Sequence, residues 1–137
     1  MDDQSAQFKE RFAGLFPETL GLRITSALAD RVTAEIDVTR GLCTAPGVMH
    51  GGAIMAFADT LGAVGTSLNL APDKGTTTIE SKTNFFTAGR EGTTVTAECV
   101  PLHRGRTTMV WETTVRNLDG RLVAKVTQTQ MVLDATR

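Results

Sequence analysis

The chain has 137 residues, 41% hydrophobic and 21% charged, the makeup of an ordinary globular domain with a core of its own. A net charge of −1 excludes a broadly basic nucleic-acid or membrane-surface binder, and six Phe, one Trp and no Tyr leave few rings for a base-stacking platform. Cys43 and Cys99 form neither a CxxC pair nor a metal-ligand spacing, and Met1-Asp2-Asp3-Gln4 lacks the basic and apolar start of a signal peptide. Reduced thiols, a cytoplasmic location, no metal and no cofactor are therefore expected.

No repeat, low-complexity tract or linker interrupts the sequence, so one domain over residues 1–137 is expected. Phe8, Phe12, Leu15 and Phe16 recur at three-to-four spacing, which predicts a short amphipathic helix over 2–16 ended by Pro17. Residues 20–28 and 31–39 read as strands; Val32, Ala34, Ile36 and Val38 alternate with Thr33, Glu35, Asp37 and Thr39. Residues 40–49 carry Gly41, Pro46 and Gly47 and read as a loop. A helix over 51–68 follows, then a turn at Ala71-Pro72-Asp73-Lys74-Gly75.

Four strands complete the chain, over 76–86, 93–102, 106–117 and 121–133. In the first, Ile79, Ser81, Thr83 and Phe85 share one face. The last two are joined by Asn117-Leu118-Asp119-Gly120, a hairpin turn. Consecutive strands with short turns imply antiparallel pairing, and one apolar helix must lie in the concave face of the sheet. The fold class is α+β: about six antiparallel strands wrapped around one long central helix, with a short N-terminal helix.

The central helix is the most informative element. Between Gly51 and Leu68 its only ionisable side chain is Asp59, among Ala53, Ile54, Met55, Ala56, Phe57, Ala58, Leu61, Gly62, Ala63, Val64 and Gly65. A helix apolar nearly all round is buried on most sides, and a carboxylate kept there is a site candidate. Its alternative role is to bond a backbone group or an arginine. The helix tip offers unpaired N–H groups and the positive end of the dipole, and Gly51 and Gly52 let a carbonyl approach closely.

His50-Gly51-Gly52, Asp59 nine residues after the histidine, and Glu80-Ser81-Lys82-Thr83-Asn84-Phe85 resemble the hotdog-fold acyl-CoA thioesterases, in particular the phenylacetate-pathway branch. The likeness continues through Leu102-His103-Arg104-Gly105-Arg106-Thr107 and Asp119-Gly120-Arg121-Leu122-Val123-Ala124, and covers residues 15–133. It implies hydrolysis of an acyl-CoA to the free acid and CoA. The tip N–H of Gly51 would polarise the thioester carbonyl, and Asp59 would act as nucleophile or as base for water.

The resemblance also implies that His50 orients the loop and thioester and that Thr78 sits near the attacking water, with Thr77 competing. Many relatives carry Asn or Gln six residues before the histidine; this sequence has Thr44, whose hydroxyl reaches less far. Cys43 has no evident relay and reads as incidental. Gly52, Lys82, Arg90, Arg104 and Arg106 are the candidates for CoA contact, since arginine suits phosphate; for the basic turn the alternative is plain solvation. Phe57, Phe85, Phe86 and Trp111 are candidates for an acyl pocket or for core.

Eight residues of helix separate Gly51 from Asp59 by about 12 Å, too far for one thioester to meet both. A second copy with its helix antiparallel would close the gap, so a homodimer or homotetramer with a shared site is expected, as in the hotdog relatives. A hotdog hydratase or dehydratase, and a non-catalytic acyl-CoA sensor, remain as alternatives. No nucleic-acid or membrane partner is expected.

Overall fold

The computed structural model describes residues 2–134. Two short helices, α1 (Ser5–Arg11) and α2 (Phe16–Leu20), lead into strands β1 (Arg23–Leu28) and β2 (Arg31–Asp37). A 3₁₀ turn (Arg40–Leu42) and a small hairpin, β3 (Cys43–Thr44) and β4 (Val48–Met49), precede the central helix α3 (Gly51–Ser67). Strands β5 (Lys74–Phe85), β6 (Thr94–Arg104), β7 (Thr108–Arg116) and β8 (Leu122–Asp134) follow. The large sheet has six strands in the order β1-β2-β6-β7-β8-β5, every neighbouring pair antiparallel.

Helix α3 lies against the inner face of this sheet and touches β2, β5, β6, β7 and β8. Alternation decides which side chains meet it: Val32, Ala34 and Ile36 of β2, Val95, Ala97 and Cys99 of β6, and Met109, Trp111 and Val115 of β7 are all buried. Their neighbours form the outer face, where Arg23 bonds Glu35 and Asp37 and Arg31 bonds Glu98. The sheet comes so close that two helix glycines have no room for a side chain. A Cβ on Gly65 would lie 2.8 Å from the Trp111 ring, and one on Gly62 2.3 Å from the Gln128 amide. Trp111 is fixed there by its indole N–H, which donates to Thr66 Oγ1 at 2.8 Å.

The N-terminal region differs from the single helix expected over 2–16. Gly14, at φ 76°, breaks it, and Pro17 lies in the first turn of α2, where a missing N–H costs nothing. Of the helical face only Phe8 is buried outright, while Leu15 and Phe16 are exposed. In β5 a bulge between Thr78 and Glu80 leaves Ile79 unpaired and 53% exposed, so Ile79 does not share a face with Ser81 and Thr83. The 40–49 loop is the 3₁₀ turn plus the small hairpin.

Candidate active site

His50 caps α3. Its backbone is extended, and its Nδ1 accepts the Gly52 N–H at 2.8 Å. The Ala53 and Ile54 N–H groups donate to the His50 carbonyl, at 2.9 and 3.1 Å. The tip is therefore nearly satisfied from within. Among the described residues nothing accepts from the Gly51 N–H, which leaves it as the free donor of the first turn. The ring of Phe85 lies over Gly51, 3.2 Å from where a Cβ would be. On another side Phe16, Leu20, Leu42, Cys43, Gly52 and Ala53 line a shallow, mainly apolar pocket of about 290 Å³.

Asp59 lies two turns further on and faces β5 and β8. The Thr78 hydroxyl donates to its Oδ1 at 2.5 Å, and Gln128 Nε2 donates to the same oxygen at 3.2 Å and to the Asp59 carbonyl at 3.3 Å. Gln130 Nε2 in turn donates to Thr78 Oγ1 at 2.6 Å. Thr78, rather than Thr77, is therefore the threonine that contacts Asp59; Thr77 points away and is exposed. Gln128 and Gln130 are fully buried. Reading motifs missed them, although the signal is present: they follow Val126 at period two, polar residues on the inward parity of a buried strand.

Other candidates are not gathered here. Thr44 is exposed in β3, and among the described residues no hydrogen bond joins its hydroxyl to the helix tip. Cys43 donates weakly to the Thr39 carbonyl. Arg90 bridges to Val48 and so lies at the His50 end of α3. Arg104 and Arg106 flank the β6–β7 turn at the far end, where Arg104 faces Asn69 and Ala29 just beyond α3 and Arg106 lies near Lys74. Lys82 is on the outward parity of β5. Within one chain these four cations form no single patch. Phe57 and Trp111 are core, fully buried, whereas Phe85 and Phe86 are more than half exposed.

The thioesterase superfamily model matches residues 46–124, from just before His50 into β8. This chain belongs to the thioesterase superfamily. A Vibrio cholerae protein named as an unproven esterase is 33% identical over 106 residues, covering 77% of this chain and 70% of that one. A 1,4-dihydroxy-2-naphthoyl-CoA hydrolase of Listeria monocytogenes is 28% identical over 95 residues, 69% of this chain and 76% of the relative. Among solved structures, a Haemophilus influenzae thioesterase superposes at a TM-score of 0.92 with 25% identity, over 100% of this chain and 95% of its own. A Streptococcus pneumoniae thioesterase protein solved with coenzyme A gives 0.81 and 25%, covering 91% and 96%. The hotdog fold expected from the sequence is thus the fold observed, and this member of the superfamily is a thioester hydrolase.

No helix among the described residues is long and apolar enough to cross a membrane. The same residues contain no group of three or more His, Cys, Asp or Glu placed to hold a metal ion.

Proposed function

We propose that this thioesterase hydrolyses acyl-CoA esters in a site assembled from two copies of the chain, with Gly51 supplied by one and Asp59 by the other. The observation that carries the reading is the pairing of one free tip N–H with one carboxylate about 12 Å along the same helix. A thioester carbonyl held at Gly51 cannot reach Asp59 of its own helix. An antiparallel second helix brings another Asp59 to the carbonyl. Strand β5 supports the arrangement: it is an edge strand twelve residues long, and Ile79 and Phe85 lie exposed along it.

In this site the Gly51 N–H and the helix dipole stabilise the oxygen that becomes negative as the carbonyl carbon turns tetrahedral. Asp59 either attacks that carbon or takes the proton of the attacking water. Collapse of the intermediate breaks the C–S bond and expels the CoA thiolate, which takes up the proton that Asp59 removed from water or, in the nucleophile route, one from solvent. In that second route water then hydrolyses the Asp59 acyl anhydride to the free acid and restores the carboxylate. His50 Nδ1 is taken by the Gly52 N–H, so the ring acts as the cap, fixing the tip while Gly51 stays free. The apolar pocket beside Gly52 and Ala53 suits an apolar acyl group, aromatic or aliphatic. Arg104 and Arg106, remote from their own Gly51, fall toward the partner's tip in the antiparallel pair and suit CoA phosphates.

Gly51 is the first helical residue, where proline is well tolerated, so Gly51→Pro deletes the one free N–H with little disturbance beyond Phe85. Thiol release from a panel of aromatic and C2–C16 acyl-CoA esters is expected to fall about 10²- to 10³-fold in Gly51→Pro. Asp59→Asn is expected to lose most turnover as well. Co-expressing the two variants restores about one quarter of wild-type activity, because half the random dimers are hybrids and each hybrid holds one intact site. A mixture as inactive as its components, with dimers present, rules out the shared site.

A further inference from the structure

The proposed reaction uses one carboxylate, yet the two oxygens of Asp59 have different surroundings. Oδ1 receives both donors, the Thr78 hydroxyl and Gln128 Nε2. No group among the described residues meets Oδ2. The buried polar atoms left without a partner are Ser81 Oγ, Thr83 Oγ1, Thr113 Oγ1 and Gln128 Oε1. Oδ2 is not one of them, so it retains access to solvent and to whatever approaches the helix.

The hydrogens around Oδ1 are fixed by counting. An ionised carboxylate only accepts, so Thr78 must donate its single proton to it. The Thr78 oxygen is then an acceptor toward Gln130, and Gln130 must present its NH₂, as it does at 2.6 Å. The Thr76 hydroxyl faces the remaining Gln130 oxygen at 3.0 Å, and also the Met131 carbonyl at 2.9 Å. Gln128 must likewise turn its NH₂ to Asp59, which leaves its Oε1 buried and unpaired. An amide kept at that cost, beside a glycine that exists to make room for it, points to a job at the carboxylate rather than in the core.

We infer that Gln130 and Gln128 are positioning residues of the thioesterase site: Gln128 directly, and Gln130 through Thr78 as relay, anchor Asp59 at Oδ1 and leave Oδ2 as the oxygen that reacts. The inference rests on the proposed role of Asp59. It assigns Thr78 to the support of the carboxylate instead of to the attacking water. Gln130 acts on the reaction only through Thr78.

The test is a double-mutant cycle on the full chain, measured by thiol release from the acyl-CoA ester of the panel that the wild type turns over fastest. Thr78→Val is expected to lower kcat about 10- to 100-fold, the usual cost of a misplaced reacting group, with KM held within about twofold. Thr78→Ser, which keeps the hydroxyl, retains kcat within about threefold. Gln130→Met lowers kcat in the wild-type background and costs nothing further in Thr78→Val, because the relay is already cut. If Gln130→Met does not fold, judged by Trp111 fluorescence, Gln130→Asn withdraws the amide by one carbon and takes its place. Wild-type kcat in Thr78→Val and the Gln130 variant, losses that multiply in the double variant, or changes in KM alone each overturn the relay. Those results beside an inactive Asp59→Asn sink the relay only. An Asp59→Asn variant as active as the wild type sinks the reading of the site, and the relay with it.

Discussion

Gly62→Ala sets two effects against each other, and the structure decides between them. On helix propensity alone, alanine in place of glycine inside α3 stabilises by about 1 kcal/mol. The added Cβ, however, lies 2.3 Å from Gln128 Cδ and Nε2 and 2.5 Å from Oε1, so the buried amide must move by more than 1 Å to reach ordinary contact. Overpacking of this kind costs about 1–3 kcal/mol. The moving amide also leaves Asp59, and a hydrogen bond to a charged group is worth about 1.5–3 kcal/mol. The net expectation is destabilisation by about 2–4 kcal/mol, which the propensity gain does not offset.

Trp111 is the only tryptophan and packs against the next glycine of the same helix face, so its fluorescence reports the unfolding directly. With a urea slope of about 2 kcal/mol/M, the midpoint falls by about 1–2 M, compared at equal protomer concentration because association contributes to stability. Turnover falls along with it, since Asp59 loses one of the donors on Oδ1. A Gly62→Ala protein with an unchanged or raised midpoint and wild-type kcat refutes the close approach of Gln128 and the support it gives Asp59.

Burial pushes the Cys99 thiol up to about 12, and the side chain is fully enclosed, so Ellman's reagent at pH 8 should titrate one thiol, Cys43, in the native protein and two in guanidinium. Two fast thiols in the native state would contradict the position of β6. The Asp3 carboxylate accepts from the Ser26 hydroxyl at 2.6 Å and from the Ser5 and Ala27 N–H groups at 2.8 and 3.1 Å, which holds its carboxyl well below the ordinary carboxylate range. A folded value below the unfolded one means that the tie is fully present above about pH 4 and fades as pH falls through the folded value. The difference in melting temperature between wild type and Asp3→Asn should therefore stay constant from pH 8 to pH 5 and shrink only in stronger acid. A difference that grows toward acid has the wrong sign for this tie.

Much of the architecture was legible because its signals are local. Alternation in 31–39 and 93–102, the hairpin turn at 117–120 and the apolar run after His50 each announce an element within a few residues. Asp59 was legible for the same reason, as one charge in an apolar helix. The bulge at Ile79 was not, because it depends on how β5 pairs with β8, fifty residues away. Nor was the separation of Arg90 from Arg104 and Arg106. Their positions follow from the sheet register, which places Arg90 at one end of α3 and Arg104 and Arg106 at the other.

The support of Asp59 was hidden for a further reason. Gly62 and Gly65 read alone say only that something comes close; Gln128 and Trp111 read alone are a polar residue and a ring in alternating strands. Each half acquires its meaning from the other, and they lie far apart in sequence and meet only when β7 and β8 close over the helix. The consequence is functional. The carboxylate belongs to the helix, but its donors come from β5 and β8, so with Asp59 in its proposed role a substitution on the inner face of either strand is expected to lower turnover without touching any residue of the His50–Asp59 motif. Separating such a loss from simple unfolding requires kcat and the Trp111 transition to be measured on the same variant, because lost support of Asp59 lowers the first and leaves the second in place, whereas unfolding shifts both.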